Sequence, residues 1–175
     1  VNTLPVILVS TFSALFWEVL IQKISKKEIT IFDKSAAVTG LLLGLTLPPQ
    51  TPLWIPFIGA GISIVIAKHI FGGLGQNIFN PALVGRAVLL LSWPSFMARW
   101  HKPFEAITTA TPLFIIKDQG INALFKEIGE ATIYKDFFLG IRAGSIGETS
   151  ILAILIGALF LLLKKTINWR IPIFY

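Results

Sequence analysis

The chain contains no cysteine, only two histidines and one methionine, and few charged residues for a length of 175. The absence of cysteine excludes disulfide bonds and iron–sulfur clusters held by thiolates of this chain. With His69 and His101 as the only imidazoles, no Ser-His-Asp or Cys-His set is indicated that would activate a hydroxyl nucleophile. Any redox centre in the chain is therefore organic or supplied by a partner.

Apolar residues dominate the composition instead. Hydrophobic residues make up 54% of the chain and charged residues 14%, and the mean hydropathy is +0.77. Such values are typical of membrane proteins rather than of soluble domains. The net charge of +6 does not indicate a nucleic-acid partner, because the basic residues cluster at the ends of apolar segments and not among stacking aromatics. We therefore predict an all-α, polytopic transmembrane helical bundle in a lipid bilayer.

The apolar segments differ in length. A helix that crosses a bilayer core of about 30 Å needs roughly 20 residues. Segment 35–48 is shorter, because the prolines that follow lack the backbone donors to continue a helix, so we predict a half helix there. The chain begins without methionine and ends on the start of a further helix at 171–175, which indicates a single membrane-embedded piece, 1–175, of a longer protein. The predicted membrane segments are 4–22, 35–48, 53–70, 78–94 and 149–163.

Basic residues predict the orientation of these segments, since short cytoplasmic loops retain Lys and Arg. Alternating crossings place the basic residues that follow the first, third and last segments inside, and they leave the proline turn at 48–52 outside. The long connection 95–148 then lies outside, where its own charges have little influence. Tryptophans near predicted segment ends suit the headgroup layer. The residues concerned are Lys23, Lys26, Lys27, Lys34, Lys68, Lys164, Lys165 and Arg170, and Trp54, Trp93, Trp100 and Trp169.

The outer connection mixes apolar and charged residues between 115 and 140. This pattern is compatible with an amphipathic helix at the membrane interface and equally with a solvated loop that contains a short helix. The sequence leaves both interpretations open.

The tract 71–82 is rich in glycine and asparagine, and Gly73, Gly75, Asn77 and Asn80 are its candidate binding residues. Glycine permits close approach of a ligand or helix, and Asn80 before a proline can cap a helix start. In a membrane, such a start exposes N–H groups to a polar partner. A polar ligand and tight helix packing with a self-satisfied cap both remain open. Asn-Pro-Ala at 80–82 also matches the tripeptide of water channels, which need two copies, whereas this chain has one.

Three charged residues fall in or beside predicted segments. Glu18 in the first segment would cost several kcal/mol unless it is paired or protonated, so it indicates a cation or proton pathway, or a carboxylate close enough to the interface to reach water. Glu148 precedes the last segment, where an acid either caps the helix or couples to a cation. Arg86 requires an acid, a phosphate or a carbonyl as its partner.

The tract 108–112 offers the hydroxyls of Thr108, Thr109 and Thr111 on the predicted outer side. None of these threonines has a base nearby in the sequence that would make it a nucleophile. A hydroxyl of this kind is suited to serve as an attachment point for another group.

Several tracts in order, residues 39–49, 71–81, 108–112, 144–150 and 169–172, resemble the RnfD and NqrB membrane subunits of Rnf and Na⁺-translocating NADH:quinone oxidoreductase complexes. The resemblance covers nearly the whole chain. It implies FMN in phosphoester linkage to the last threonine of the Thr-Thr-Ala-Thr tract, Thr111 here, attached by a flavin transferase on the outer side. Thr108 and Thr109 then serve recognition and packing. The family usually has Asp six residues before the attachment threonine, where this chain has Glu105.

The same resemblance implies a larger protein of paired helical bundles in an inverted repeat, located in a bacterial or archaeal plasma (inner) membrane and crossing it several times. It also implies partner subunits that carry flavins and iron–sulfur centres, and in some relatives a second, non-covalent riboflavin. Thr-Thr-Ala-Thr followed by Pro-Leu favours RnfD over NqrB.

These observations predict an electron-transfer subunit in which FMN on Thr111 passes electrons while the complex moves Na⁺ or H⁺. We expect the glycines and asparagines of 73–80 to shape the flavin side of the bundle, and Glu18 and Glu148 to serve cation coupling. The alternatives are an NqrB-type subunit and, from another class, a channel or carrier without a redox cofactor.

Overall fold

The computed structural model describes residues 3–100, 112–120, 122, 133–141 and 143–174. Within these ranges the chain forms helices and no strand, which confirms the all-helical fold class. The helices are α1 (Thr3–Ile24), α2 (Ser35–Thr46), α3 (Trp54–Gly61), α4 (Pro81–Ser92), α5 (Pro94–Met97), α6 (Pro112–Gln119), α7 (Ile133–Leu139), α8 (Ile151–Leu163) and α9 (Arg170–Phe174). A π-helical stretch, Ile62–His69, continues α3 directly and is called the π segment below, and a 3₁₀ turn, Ile31–Asp33, precedes α2.

Helix α1 is the one helix in the described ranges that is both long and apolar enough to cross a bilayer. The other apolar helices are shorter than the segments predicted from sequence, because polar and proline residues define their ends. Asn80 caps α4 through its side chain and Pro81 occupies the first turn. Trp93 leaves the helical conformation, as expected for a residue that precedes a proline. The membrane placement of these helices remains a prediction.

Helices α1 and α2 pack closely because two glycines of α2 lie directly against the backbone of α1. A Cβ atom on Gly40 would lie 2.7 Å from both the Ser10 carbonyl oxygen and the Thr11 Cα. One turn later, a Cβ on Gly44 would lie 3.1 Å from the Ile7 Cα. The Ser10 hydroxyl donates a 2.7 Å hydrogen bond to the Gly40 carbonyl. This arrangement of small residues four apart is typical of helix contacts inside membranes.

Substitution of Gly40 by alanine should destabilise the bundle by about 1 to 3 kcal/mol, since the new methyl group must displace backbone atoms of α1. We expect a lower melting temperature for the full-length subunit in detergent. Gly157→Ala in α8 is the matched control, because in the described part of the chain no atom outside its own helix backbone lies within 4 Å of the added Cβ. There the better helix propensity of alanine should leave stability unchanged or slightly raised. Equal melting temperatures for the two variants would contradict this packing.

The bundle has two ends. At the first, which we call the loop end, the 25–34 loop, the last residues of the π segment and the turn 71–75 meet. At the second, the proline end, the turn 47–53 meets the stretch 143–148 through the amides of Ile146 and Gly147, which donate to Leu47 and Leu45 carbonyls. One cluster of buried apolar residues lies towards each end. Their members are Ala14, Ala36, Leu43, Ala60, Ile64 and Ala82, and Val6, Leu47, Ile55, Leu89 and Met97.

Much of the remaining helix surface is apolar and exposed. On α1 the exposed residues Leu4, Leu8, Phe12 and Phe16 recur every four positions and so form one stripe along the helix. Helix α8 has no buried residue although it is apolar on all sides. Surfaces of this kind are suited to lipid or to further transmembrane helices.

Between residues 115 and 140 the described residues include the end of α6 and helix α7, which do not form one continuous helix. Gly120 terminates α6, because it adopts a φ of +82° and its amide bonds back to the Ile116 carbonyl.

Candidate functional site

A buried carboxylate, Glu18 of α1, is the centre of a charged cluster at the loop end. It is 1% exposed, and its Oε1 atom accepts hydrogen bonds from Lys68 Nζ at 2.8 Å and from Gln22 Nε2 at 2.7 Å. Lys68, at the end of the π segment, is itself 3% exposed. The acid predicted to lie in an apolar segment is therefore paired, and this offsets the cost of burying its charge.

The second carboxylate oxygen of Glu18 has a different environment. Its Oε2 atom lies 3.2 Å from His69 Nε2, but no hydrogen bond joins the two atoms. Both atoms are buried, and within the described ranges neither has a hydrogen-bond partner. One oxygen of the carboxylate is thus saturated while the other faces a titratable nitrogen.

Local backbone structure explains how Lys68 and His69 reach the same carboxylate. They are consecutive residues of the π segment, and π-helical turns occur frequently at functional sites. The π segment is followed by a turn with two glycines of positive φ, +114° at Gly72 and +108° at Gly73. The amides of these glycines donate to the His69 and Lys68 carbonyls, at 3.2 Å and 3.0 Å. The glycine turn therefore caps the helix that carries the two basic residues.

Hydrogen bonds connect this cluster to the loop before α2. Lys68 Nζ donates to Ser35 Oγ at 2.7 Å, and Ser35 Oγ donates to Asp33 Oδ1 at 2.7 Å. Desolvation raises the pKa of Asp33, but the hydrogen bonds from the Ser35 hydroxyl and amide and the charge of Lys68 outweigh it, so the pKa lies below its ordinary value. Gln22 fixes the other side of the loop. Its Nε2 atom donates to the Thr30 hydroxyl at 2.8 Å, and its Oε1 atom accepts from the Thr30 backbone amide at 3.0 Å.

A cleft of about 390 Å³ adjoins the cluster. Glu18 and His69 line its buried part, and exposed residues of the 25–34 loop, including Asp33, line its mouth. Gly73 contributes backbone to the wall. A carboxylate oxygen and an imidazole nitrogen that share one cleft can bind a proton or a cation. The described ranges hold no group of three or more Asp, Glu, His or Cys side chains suited to a metal ion.

The other three candidate binding residues of the tract, Gly75, Asn77 and Asn80, do not line this cleft. Gly75 is exposed at a φ of +84° and has open space around it. Asn77 donates to the Phe79 carbonyl at 3.2 Å, and Asn80 Oδ1 accepts from the Ala82 amide at 3.0 Å. The asparagines thus make local hydrogen bonds, while Gly73 lines the cleft together with its neighbours Gly72 and Leu74.

The second predicted acid, Glu148, lies at the proline end, and the structure does not bring it to Glu18. Its Oε1 atom lies 3.6 Å from Arg86 Nη1 of α4, so the acid partner predicted for Arg86 is present. The Glu148 side chain is 62% exposed, and water therefore screens this pair strongly.

Thr108, Thr109 and Thr111 lie outside the described residues, and so does Glu105, so the attachment site remains a prediction. A group of aromatic rings lies at the proline end, in the described residues that precede the threonine tract. The Trp54 ring lies 5.2 Å from that of Trp93 and 5.9 Å from that of Phe96, both edge to face. Arg99 places its guanidinium carbon 5.3 Å from the Phe96 ring centre. We call these four residues the aromatic surface.

Sequence reasoning missed most of the Glu18 cluster. The sequence predicts Lys68 only as an inner-side charge at the end of a segment, and it assigns no binding role to Gln22, Ser35 or His69. One signal was available, because an acid in an apolar segment requires a partner and Lys68 is the first charged residue after the uncharged stretch 35–67.

The whole chain, residues 1–175, matches the model of the NQR2, RnfD, RnfE family. It is similar to a subunit of the proton-translocating ferredoxin:NAD(+) oxidoreductase complex of Clostridium ljungdahlii, with 49% identity over 99% of this chain and 54% of the relative. For the corresponding subunit of the Na(+)-translocating ferredoxin:NAD(+) oxidoreductase complex of Acetobacterium woodii, the identity is 44% over 98% of this chain and 53% of the relative.

A subunit of the Na(+)-translocating NADH-quinone reductase of Azotobacter vinelandii is 42% identical over 96% of this chain and 41% of the relative. The chain thus spans about half the length, or less, of the curated relatives it matches.

Proposed function

Because this chain belongs to the NQR2, RnfD, RnfE family, we propose that it is part of the electron-transfer subunit of an Rnf-type, ion-translocating ferredoxin:NAD⁺ oxidoreductase. The observation that carries the proposal is the similarity, along almost the entire chain, to one subunit from each of two such complexes. The NqrB-type subunit is the second candidate. It is supported by the 42% identity to the quinone reductase subunit, which is lower than the identities to the two ferredoxin:NAD(+) oxidoreductase subunits. The other flavin- and iron–sulfur-bearing subunits of the complex are the proposed partners.

We propose that FMN is attached through a phosphoester to Thr111, with Thr108 and Thr109 recognised by the flavin transferase. A flavin exchanges one or two electrons, which suits a carrier between redox partners. The aromatic surface supports the proposal, because Trp93, Phe96 and Arg99 lie shortly before the tract in sequence and combine apolar rings with the cation of Arg99. Such groups suit a flavin ring and a phosphate. A second, non-covalent riboflavin belongs to the same proposal without assigned residues.

Glu18 is the proposed ion-coupling residue. Its burial, its pairing with Lys68 and its access to the cleft support this role. Glu148 is the weaker candidate because it is largely exposed. Of the two relatives from ferredoxin:NAD(+) oxidoreductase complexes, one belongs to a complex named as proton-translocating and the other to one named as Na(+)-translocating, so the proposal includes either ion.

The protein is a membrane protein, and we propose a multi-pass subunit of a bacterial or archaeal plasma membrane with Thr111 on the outer face. The exposed apolar stripe of α1 and the apolar surface of α8 support contact with lipid. In this orientation the proline end lies outside and the loop end, with the Glu18 cluster, lies inside. The inverted-repeat architecture of the full-length subunit is part of the same proposal.

Membrane vesicles that contain the complete complex test the function. We expect reduced ferredoxin to drive both NAD⁺ reduction and uptake of Na⁺ or H⁺. Quinone reduction by NADH, without ferredoxin activity, would assign the chain to the NqrB type. Solute flux that needs no electron donor and proceeds without bound flavin would support a channel or carrier and overturn the redox proposal.

A further inference from the structure

We propose that Glu18 and His69 form one proton-binding site, reached from the cleft at the loop end, in which the proton competes with a cation for the Glu18 carboxylate. The site itself is inferred from contacts within the chain. Its consequence for transport rests on the proposed ion-coupling function of Glu18.

The two carboxylate oxygens of Glu18 have different surroundings, and the proton site is inferred from this difference. Oε1 is occupied by Lys68 and Gln22, whereas Oε2 and His69 Nε2 lie 3.2 Å apart and make no hydrogen bond to any described residue. Buried polar atoms are rarely left without partners, so an unpaired acceptor beside an imidazole nitrogen requires an explanation. A proton on Nε2 supplies it, because the protonated nitrogen becomes a donor and a small rotation of the ring directs it at Oε2.

The charges around the site are compatible with this additional proton. Lys68 neutralises Glu18, and Asp33, connected to Lys68 through Ser35, provides a further negative charge beside the cleft. The titratable and charged groups that line the cleft together with His69 are Glu18 from α1, Lys68 from the π segment, Lys27 and Glu28 from the loop, and Asp33 from the 3₁₀ turn. Water in the cleft delivers the proton: an N–H bond forms on Nε2, and hydronium becomes water.

The same contacts make proton and cation binding mutually exclusive. When His69 is protonated, its N–H group occupies Oε2, and this oxygen no longer accepts a cation from the cleft. When the proton leaves, Oε2 becomes available. Competition by one proton lowers the apparent affinity for a cation by at most about tenfold per pH unit.

The first test uses the complete complex in liposomes. The rate of sodium movement is measured as a function of sodium concentration, at several pH values on the loop-end side. In the wild type, the apparent KM for sodium should rise as the pH falls, by at most about tenfold per pH unit. His69→Gln should flatten this dependence. His101→Gln is the matched control, since it removes the other histidine of the chain, and it should retain the wild-type profile.

Infrared difference spectra of the solubilised complex at acidic and neutral pH provide a second test that needs no transport. The wild type should show a pH-dependent carboxylate band, and both Glu18→Gln and His69→Gln should lose it. If His69→Gln does not assemble, Glu18→Gln decides whether the band belongs to this carboxylate. In a complex that moves only protons, the infrared result decides by itself.

The outcomes separate this site from the proposed function. A carboxylate band that persists in His69→Gln, together with an unchanged sodium profile, would overturn the proton site while ion coupling stands. A band that is lost in both variants, in a complex that moves no ion, would support the site and overturn its link to transport.

Discussion

Thr111→Ala should remove all covalently bound flavin from the subunit, because a phosphoester requires the threonine oxygen and alanine has none. The full-length subunit is co-expressed with its flavin transferase, and the flavin fluorescence of its band is measured after denaturing electrophoresis. Denaturation releases any non-covalent flavin, so the remaining signal reports the covalent linkage alone. We expect strong fluorescence from the wild type and none from the variant.

Substitutions within the tract control for a general loss of transferase recognition. Thr111→Ser keeps a hydroxyl and should retain fluorescence. Thr108→Ala and Thr109→Ala should reduce the yield without abolishing it, because their proposed role is recognition and packing. Fluorescence that survives in Thr111→Ala would move the attachment to another residue. Its absence from the wild type as well would favour the channel or carrier.

Lys68→Met should destabilise the subunit by about 3 to 5 kcal/mol, because it leaves the Glu18 carboxylate buried without its cationic partner. Methionine keeps much of the apolar stem of lysine, so the change removes charge more than volume. The free energy of unfolding of the full-length subunit in mixed detergent micelles measures the effect. The loss should far exceed that of Lys23→Met, which removes an exposed lysine near the end of the same bundle.

A double-mutant cycle separates the ion pair from other effects of these substitutions. Glu18→Gln combined with Lys68→Met leaves two neutral side chains, so the double variant should recover most of the stability that Lys68→Met loses. If the two substitutions instead add without coupling, the buried pair contributes nothing specific, and the cluster around Glu18 would have to be reinterpreted.

The sequence predicted elements that depend on neighbouring residues. The all-helical class follows from apolar runs that alternate with proline, glycine and basic residues, and the break between α2 and α3 follows from prolines that lack amide donors. The cap at Asn80 is equally local, because its side chain bonds an amide two residues later. Helix lengths were harder to predict from apolar content. Trp93 is apolar, but α4 ends before it because the next residue, Pro94, disfavours the helical conformation at Trp93.

Contacts between distant residues could not be predicted in the same way. Glu18 required a partner on physical grounds, but its partner lies 50 positions away, and only the packing of the π segment against α1 selects Lys68. The π-helical turns themselves have no sequence signature comparable to a proline or a cap. They bring Lys68 and His69 to opposite oxygens of one carboxylate.

The sequence by itself determined that this protein is an apolar helical bundle of the NQR2, RnfD, RnfE family, because composition, prolines and short motifs are local properties. Flavin attachment at the threonine tract stays a prediction. Only the tertiary structure decided that Glu18 is paired, that one of its oxygens is left to His69, and that Glu148 lies at the other end of the bundle. The physical reason is that hydrogen bonds and ion pairs act over about 3 Å in space, and the separation of residues along the chain does not reveal which of them meet.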